Sequence, residues 1–353
     1  MPYQKNKGFY ALLNLAKVSL EQNLPFCLYR KPTETLVNGV FQSNSELNHT
    51  VTFTEKGFVF APFDLNNDAV LIAPDKIVVA SFEVEEVVNS SKDFINDSGR
   101  SSHIELVEKG INAIKKGALK KVVLSRKIEI LLSKKPLEVF QSLLGKYPNA
   151  FCYLFFHPKL GMWCGATPET LVHIEGEKLR TMSLAATVPV NDSTKPEWGS
   201  KEVEEQKMVT NYIKQKLHSS MKELQVEDPV SIKAGKLWHL KSEIKGSITP
   251  KTTIKEIIET LHPTPAVCGI PTQEAKTFIQ KNENYQRTFY TGFLGELNLS
   301  KEKQAALFVN LRCMELKNGK ASVFVGGGIT EASIPENEWT ETQNKSKTML
   351  SIT

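Results

Sequence analysis

The alternation of paired strand segments with single helical segments is the feature that most constrains the fold of this chain. Short apolar segments separated by polar turns fill residues 26–90, and a turn around Gly176 joins segments 170–174 and 178–184 as a hairpin. Helical periodicity is found in segments 7–20, 101–116, 136–146 and 202–217. Tight turns join antiparallel strands, whereas parallel strands need long crossovers. The pattern therefore predicts an α+β fold rather than a doubly wound parallel sheet.

The second half of the chain has further predicted strands and one last helix. The strands are predicted over 121–132 (as one strand or two), 151–156, 161–167, 289–297, 305–315 and 321–325. Three glycines, 326–328, follow the last strand; glycines there suit a tight turn or a close approach of the backbone to a ligand. Ser333 is the predicted N-cap of the last helix, with a proline in its first turn.

Composition limits the class of protein. The 353 residues are 41% hydrophobic and 24% charged, which suits a soluble chain with a sizeable core. The net charge of +5 is scattered, so we expect no nucleic-acid partner. The five cysteines form no CxxC motif, and no apolar run is long enough to span a bilayer. With no signal-like N-terminus, these features predict a cytoplasmic protein without a membrane partner.

Two pairs of glutamates share one spacing. Glu202 and Glu205 are three residues apart, and so are Glu338 and Glu341. Each pair can lie on one face of a helix. Together, the pairs would form an oxygen-rich pocket suited to Mg²⁺. From the residues alone, a solvated helix face explains each pair as well, and for the first pair it is the better explanation.

Four other residues are candidates for chemistry. Lys121 precedes an apolar strand, where it either extends to solvent or is desolvated and serves as a base. Glu169 follows a strand end, a common place for a catalytic acid and for any solvated glutamate. Arg312, within an apolar segment, needs a partner, and a ligand carboxylate matches the paired N–H donors of its guanidinium. His239 contacts a ligand or, more commonly for a lone histidine, is structural.

Ten sequence blocks occur in one order that resembles the chorismate-utilising enzymes. This family includes isochorismate synthase, salicylate synthase, anthranilate synthase component I and aminodeoxychorismate synthase component I. The blocks are 121–126, 165–169, 183–187, 201–205, 239–242, 261–266, 287–292, 309–312, 326–329, and 333–342 with Lys345. The similarity covers about residues 100–350, whereas the N-terminal 95 residues are divergent. No GxGxxG or GxxxxGK[ST] motif competes with this interpretation.

The resemblance implies a fold and a branch of the family. The fold is α+β, with two large antiparallel β-sheets packed face to face and helices on the outside, which we expect as a single domain over 1–353. Anthranilate enzymes carry glutamine where Lys121 stands, and aminodeoxychorismate enzymes commonly carry lysine where Ala185 stands. The chain therefore resembles the branch that uses water, in which isochorismate synthase is the first expectation and salicylate synthase the alternative. A non-catalytic chorismate-binding protein is a third possibility, disfavoured because the candidate catalytic residues are retained.

The resemblance also implies roles for individual residues. Lys121, acting neutral, takes a proton from the water that attacks C2 of chorismate, and Glu169 protonates the departing C4 hydroxyl. Glu205 and Glu341 ligate Mg²⁺, which holds the ring carboxylate, while Glu202 and Glu338 support it through water. The residues expected to bind substrate are Thr187, His239, Tyr290, Arg312, Gly327, Gly328 and Lys345. We expect a monomer without a glutamine amidotransferase subunit.

Four residues depart from the family's pattern. Ala186 stands in place of the usual glycine and Gln206 in place of the usual histidine, while Gln286 and Thr288 replace aspartate and glycine beside Arg287. None of these changes removes a proposed catalytic group, although Ala186 affects the shape of the site. The sequence leaves open whether isochorismate would serve menaquinone or siderophore biosynthesis.

Overall fold

A computed structural model describes residues 7–83, 97–190, 195–234 and 237–353. Its α-helices are α1 (Lys7–Glu21), α2 (Arg100–Lys115), α3 (Pro136–Lys146), α4 (Ser200–Leu217), α5 (Ile254–Leu261), α6 (Thr272–Asn282) and α7 (Pro335–Leu350). The strands of the first half are β1 (Phe26–Arg30), β2 (Leu36–Phe41), β3 (Asn48–Thr50), β4 (Gly57–Ala61), β5 (Ala69–Ile72), β6 (Lys76–Ser81), β7 (Lys121–Leu131), β8 (Phe151–His157) and β9 (Gly161–Thr167). Those of the second half are β10 (Thr170–Glu175), β11 (Lys178–Pro189), β12 (Met221–Val226), β13 (Val230–Ala234), β14 (Leu237–Ile248), β15 (Gly269–Ile270), β16 (Phe293–Leu297), β17 (Gln304–Val309), β18 (Cys313–Lys317) and β19 (Lys320–Ile329).

The strands form two large antiparallel sheets. Within the described ranges, the first sheet has nine strands in the order β15-β7-β19-β18-β9-β8-β1-β2-β6. The second has ten strands, nine in the order β12-β14-β11-β10-β17-β16-β4-β5-β3 and a tenth, β13, paired to β14. Both sheets combine strands from the two halves of the chain, so neither sheet can form without long-range pairing. The predicted α+β class, with two large antiparallel sheets, is confirmed.

The sheets pack face to face because their strands alternate in the direction of their side chains. In β1, Cys27 and Tyr29 join an aromatic core that also contains Phe58 and Phe60 of β4 from the other sheet. Phe26 of β1 points the other way, into a second core. Phe60 lies 4.3 Å, between ring centroids, from Phe155 of β8. This aromatic layer holds the two sheets together.

Helices cover the outer faces. α1 and α3 bury their apolar sides on the first sheet, and α4 and α5 bury theirs on the second. A smaller core forms where α2 and α6 pack against the start of β7, around Val122 and Leu124. No helix in the described part of the chain is long and apolar enough to cross a membrane.

The structure corrects two of the predicted strands. The segment 289–297 begins as a strand only at Phe293, because Thr288 and Thr291 have positive φ values of 47° and 60° in the preceding turn. The segment 305–315 is two strands, β17 and β18, that belong to different sheets. Arg312 lies in the connection between them with φ of 48°, not inside a strand. Residues 84–90 of the predicted N-terminal strand region lie outside the described residues.

The region of the three glycines also differs from expectation. Glycines 326–328 continue β19 and pair with Ser125, Leu124 and Val123 of β7, so they do not form the tight turn that was one of the two expectations. Ser333 is not the N-cap: α7 begins two residues later, after Ile334, and Ser333 Oγ instead accepts a hydrogen bond from the Thr330 N–H. The proline predicted in the first turn, Pro335, is confirmed.

Candidate active site

A polar cavity lies where β7, β19 and α7 meet the connections between the two sheets. About 760 Å³ of empty space lies within it, including the solvent-filled mouth. Eleven of the residues predicted from the sequence line it: Lys121, Glu169, Thr187, Glu205, His239, Tyr290, Arg312, Gly327, Gly328, Glu341 and Lys345. Tertiary structure thus brings together side chains that are up to 224 positions apart in the sequence, from Lys121 to Lys345.

Two crossovers between the sheets carry key side chains of the cavity. Glu169 lies between β9 of the first sheet and β10 of the second, and Arg312 lies between β17 and β18. The crossovers are bonded to each other, because the Val309 N–H donates to the Glu169 carbonyl over 3.0 Å. The Ala166 N–H likewise donates to the Arg312 carbonyl over 3.0 Å. The backbone therefore fixes the acid and the guanidinium relative to each other.

Glu169 has the electrostatic properties of a proton donor. Its side chain is buried, with the residue only 3% exposed. Burial raises the pKa of Glu169 to about 8, against the attraction of nearby cations, of which Lys121 is the strongest. A carboxyl group with this pKa is mostly protonated at neutral pH, so it can donate a proton into the cavity.

Lys121 opens β7 and is 1% exposed. Its Nζ lies 2.8 Å from Glu205 Oε1, so the two side chains form an ion pair. Although burial opposes the charge, Lys121 lowers the pKa of Glu205. A Cβ at position 328 would lie 2.6 Å from Glu205 Oε1 and 3.0 Å from Lys121 Cε. Gly328 is therefore needed for this pair to approach the strand.

Helix α7 supplies a second and a third lysine–glutamate pair. Lys345 Nζ lies 2.6 Å from Glu341 Oε1 and donates to the Gly326 carbonyl over 2.9 Å. Glu338, 1% exposed, accepts a 3.0 Å hydrogen bond from Lys201 at the start of α4. Burial and the neighbouring Glu341 raise the pKa of Glu338. The site thus places three carboxylates and three ammonium groups around the glycines of β19.

The chemistry of these carboxylates suits a divalent cation. A Cβ at position 327 would lie 3.4 Å from both Glu338 Oε2 and Glu341 Oε1, while Glu205 lies against the next glycine. Glu338 Oε2 is buried without a hydrogen-bond partner. An all-oxygen donor set of this kind suits Mg²⁺. In the described ranges, however, no three His, Cys, Asp or Glu side chains form a metal-binding group, and each of these carboxylates is paired with a lysine.

The structure does not bring Glu202 to the other glutamates. Its Oε2 lies 2.7 Å from where a Cβ of Gly199 would stand, so the carboxylate folds back to the beginning of α4. Neither Glu202 nor Glu338 lines the cavity, although Glu338 lies directly behind it against Gly327. A supporting role for Glu202 through water stays a prediction.

His239 acts within the site as a neutral ring that holds Arg312. Burial, reinforced by Arg312, lowers the pKa of His239 to about 3. Its Nδ1 lies 2.9 Å from the Ala186 carbonyl and 3.3 Å from Thr187 Oγ1, and its Nε2 lies 3.2 Å from an Arg312 nitrogen. Since a guanidinium only donates, Nε2 is the acceptor and Nδ1 carries the proton. The other arm of Arg312 donates to Thr348 Oγ1 over 3.1 Å.

Two of the residues that depart from the family's pattern lie near the site, and the structure explains both. Ala186 has φ of 61°, a left-handed conformation in which glycine is unstrained, and it forms the bulge that presents its carbonyl to His239. Gln206 is buried and donates to Ser183 Oγ over 2.9 Å, which ties α4 to β11. Both residues preserve the placement of neighbouring site residues.

Tyr290 completes the cavity wall from the turn before β16. The residue is 2% exposed, and its ring stacks on Phe324 of β19 with centroids 5.3 Å apart. Its hydroxyl oxygen lies 3.1 Å from where a Cβ of Gly326 would stand, so this glycine also keeps the strand close to a polar group. Burial raises the pKa of Tyr290, which keeps the phenol protonated as a donor.

Sequence reasoning missed two residues of the site. Lys201, the first residue of the block 201–205, donates a hydrogen bond to Glu338. Thr348 supports Arg312 from the last turn of α7. Its position three residues after Lys345 on a helix was the one signal that could have revealed it.

Comparisons with known proteins agree with this geometry. The family model for chorismate binding enzymes matches residues 75–353. Isochorismate synthase DhbC of Bacillus subtilis is 31% identical over 323 residues, which is 82% of this chain and 78% of that protein. The crystal structure assigned to a 2,3-dihydroxybenzoate-specific isochorismate synthase of Bacillus anthracis superposes with a TM-score of 0.80 at 26% identity. The match covers 96% of this chain and 99% of the other.

A third relative agrees in fold. The structure of MenF, the menaquinone-specific isochorismate synthase of Escherichia coli, superposes with a TM-score of 0.77 at 20% identity, over 94% of this chain and 89% of the other. At this level of identity, the likeness concerns the fold.

Proposed function

The chain belongs to the family of chorismate binding enzymes, and from this premise we propose that it converts chorismate to isochorismate. The observation that carries the proposal is the pairing, in one cavity, of a buried acid with a buried lysine. Glu169 has a pKa of about 8, and Lys121 is 1% exposed. The reaction replaces a hydroxyl group at C4 by one at C2, so it needs one group that takes a proton and one that gives it.

Lys121 and Glu169 divide these two tasks. Lys121 accepts a proton from the water that adds at C2, a step that requires its amine form in place of the ammonium paired with Glu205. Glu169 is mostly protonated at neutral pH and gives its proton to the C4 oxygen, which leaves as water while the ring double bonds shift. The two groups enter the cavity from different places, Lys121 from the start of β7 and Glu169 from the crossover after β9. This separation lets them act at different ring positions.

The cationic side of the cavity fits a substrate with two carboxylates. Arg312 is held from both sides, by His239 and Thr348, so its fork is oriented before substrate arrives. Lys345 and the Tyr290 hydroxyl lie along the same wall of glycines. Because these donors are preorganised, little reorganisation accompanies binding of the dianion.

The proposal includes Mg²⁺ as the resident cation. Glu205 and Glu341 would hold it, with Glu338 behind them. When bound, Mg²⁺ would supply positive charge that holds and polarises a substrate carboxylate. The unpartnered Glu338 Oε2 supports this assignment. A cytoplasmic monomer that works without a glutamine amidotransferase subunit is part of the same proposal.

The names of the relatives refer to two different biosynthetic products. One is named for menaquinone and another for 2,3-dihydroxybenzoate, and isochorismate synthase is the name they share. The proposal therefore concerns formation of isochorismate. Salicylate synthase, the alternative, is not favoured by these relatives.

The test is a product assay with purified protein, chorismate and MgCl₂, in which products are separated by chromatography. Isochorismate as the sole product is the expected result. Salicylate with pyruvate would establish the alternative, and a nitrogen-containing product that requires ammonia would overturn the water-using assignment. Chelation of metal should abolish turnover and added Mg²⁺ should restore it. Undiminished turnover in a chelator would refute the cation assignment alone.

A further inference from the structure

A buried ion pair lies directly behind the cavity wall. Arg287 NH2 lies 2.6 Å from Glu283 Oε1, and Nε donates to Oε2 over 2.8 Å, so the pair is bidentate. Both side chains are 2% exposed or less. Neither residue lines the cavity. A buried pair of this kind is weak evidence for stability on its own, so what it contacts decides its meaning.

The pair completes an open edge of the first sheet. Strand β15 covers that edge of β7 for two residues only, opposite Lys121 and Val122. Just beyond it, the Val123 carbonyl accepts a 2.8 Å hydrogen bond from Arg287, and the Ser125 N–H donates over 2.8 Å to Glu283. A carbonyl and the N–H two residues later are the groups that a neighbouring strand would satisfy. The ion pair therefore takes the place of a missing strand, next to Lys121.

The same guanidinium binds two other walls of the cavity. Its NH1 donates to the Val267 carbonyl over 2.8 Å and to Thr291 Oγ1 over 3.2 Å. Val123, Val267 and Thr291 all line the cavity. With the two hydrogen bonds to Glu283, every N–H group of the Arg287 guanidinium has an acceptor. The guanidinium can therefore satisfy all its donors in one position only. Three chain segments that line the cavity are thus hydrogen-bonded to one planar cation.

We infer that Arg287, held by Glu283, is a positioning residue for the reaction. It sets the start of β7, and therefore Lys121, against the turn that carries Tyr290 and against the loop of Val267. It touches no substrate and acts through the backbone of these segments. Because the readout is isochorismate formation, this role rests on the proposed function.

The test compares conservative variants with a matched control. Arg287→Lys keeps the charge but loses the planar fork, and Glu283→Gln keeps the shape but leaves Arg287 uncompensated. Arg30→Lys is the control, since Arg30 is also a buried arginine that donates to backbone carbonyls, those of Leu144 and Tyr147, away from the cavity. Each variant is assayed well below its Tm, with kcat and KM expressed per folded enzyme.

A positioning role predicts that kcat falls about 10- to 100-fold in Arg287→Lys, with KM changed less than about threefold. Glu283→Gln should do the same, and it serves as the main variant if Arg287→Lys does not fold. Arg30→Lys should lower Tm while kcat stays at the wild-type value. If both pair variants keep wild-type kcat and lose only Tm, the pair is structural and the inference is wrong. Wild-type protein that forms no isochorismate would instead refute the proposed function.

Discussion

Replacing the buried acid should abolish activity and stabilise the protein at the same time. Glu169→Gln keeps the size of the side chain and removes its ionisable proton. The residue is 3% exposed, and burial raises its pKa from an ordinary 4.5 to about 8. A glutamine cannot protonate the leaving hydroxyl, so turnover should be lost. It also has no charge to desolvate, so the folded state should gain stability at neutral and alkaline pH.

The magnitude follows from proton linkage. Between pH 4.5 and 8 the folded state keeps its proton on Glu169 while the unfolded state loses it. Stability of the wild type therefore falls as pH rises through this window, by about 1.4 kcal/mol per pH unit. The difference from Glu169→Gln should be near zero at pH 4.5, roughly 3 kcal/mol at pH 7 and roughly 5 kcal/mol above pH 8.

The assay pairs thermal unfolding with product formation. Wild type and Glu169→Gln are unfolded at half-unit steps from pH 5 to 9, and isochorismate is quantified by chromatography in the same buffers. Glu177→Gln is the control, because Glu177 is an exposed glutamate paired with Lys222, which lowers its pKa. Its removal should give no advantage that grows with pH.

Two results would refute the reasoning. If the stability advantage of Glu169→Gln is constant from pH 5 to 8, Glu169 is ionised in the folded protein and cannot be the acid. If Glu169→Gln keeps near-normal turnover, another group donates the proton. Wild-type turnover should decline as pH rises through about 8, because the acid form of Glu169 disappears there.

Three further changes test the rest of the site. Lys121→Ala should abolish turnover while chorismate still binds, as titration calorimetry would show; near-normal turnover would exclude Lys121 as the base. Gly328→Ala places a Cβ 2.6 Å from Glu205 Oε1, so kcat/KM should fall at least about tenfold while the protein stays folded. Unchanged kinetics would show that β19 shifts to accommodate the added methyl group. His239→Asn removes the acceptor that orients Arg312, so KM should rise about tenfold. Because the pKa of His239 is about 3, the pH dependence of turnover from pH 5 to 8 should have the same shape in that variant as in the wild type. If the variant lacks an inflection near pH 6.5 that the wild type shows, His239 is not neutral over this range.

The sequence determined the local elements most completely where one periodicity dominated. Helix α3 and the hairpin of β10 and β11 follow from patterns a few residues long, because side-chain direction repeats every 3.6 or 2 residues. Such patterns also placed the two glutamate pairs on helices, since α4 and α7 contain them. The ordered blocks then named most of the residues that line the cavity.

Local patterns failed where the chain changes sheets. The segment 305–315 is apolar apart from Asn310, Arg312 and Glu315, which is compatible with a single strand, yet it is divided between two sheets at Arg312. Glycines 326–328 have turn-like composition, yet β7 pairs with them along their whole length. In both cases the deciding contact is with a partner strand far away in the sequence, and periodicity carries no information about such partners.

The sequence by itself therefore determined the class of fold and the types of groups at the site. Only the tertiary structure decided what these groups do. Packing buries Glu169 and raises its pKa, and it pairs Lys121 with Glu205 across two elements. The pKa and the availability of a charge depend on desolvation and on neighbours within a few ångströms. Those quantities exist only once distant strands and helices have met.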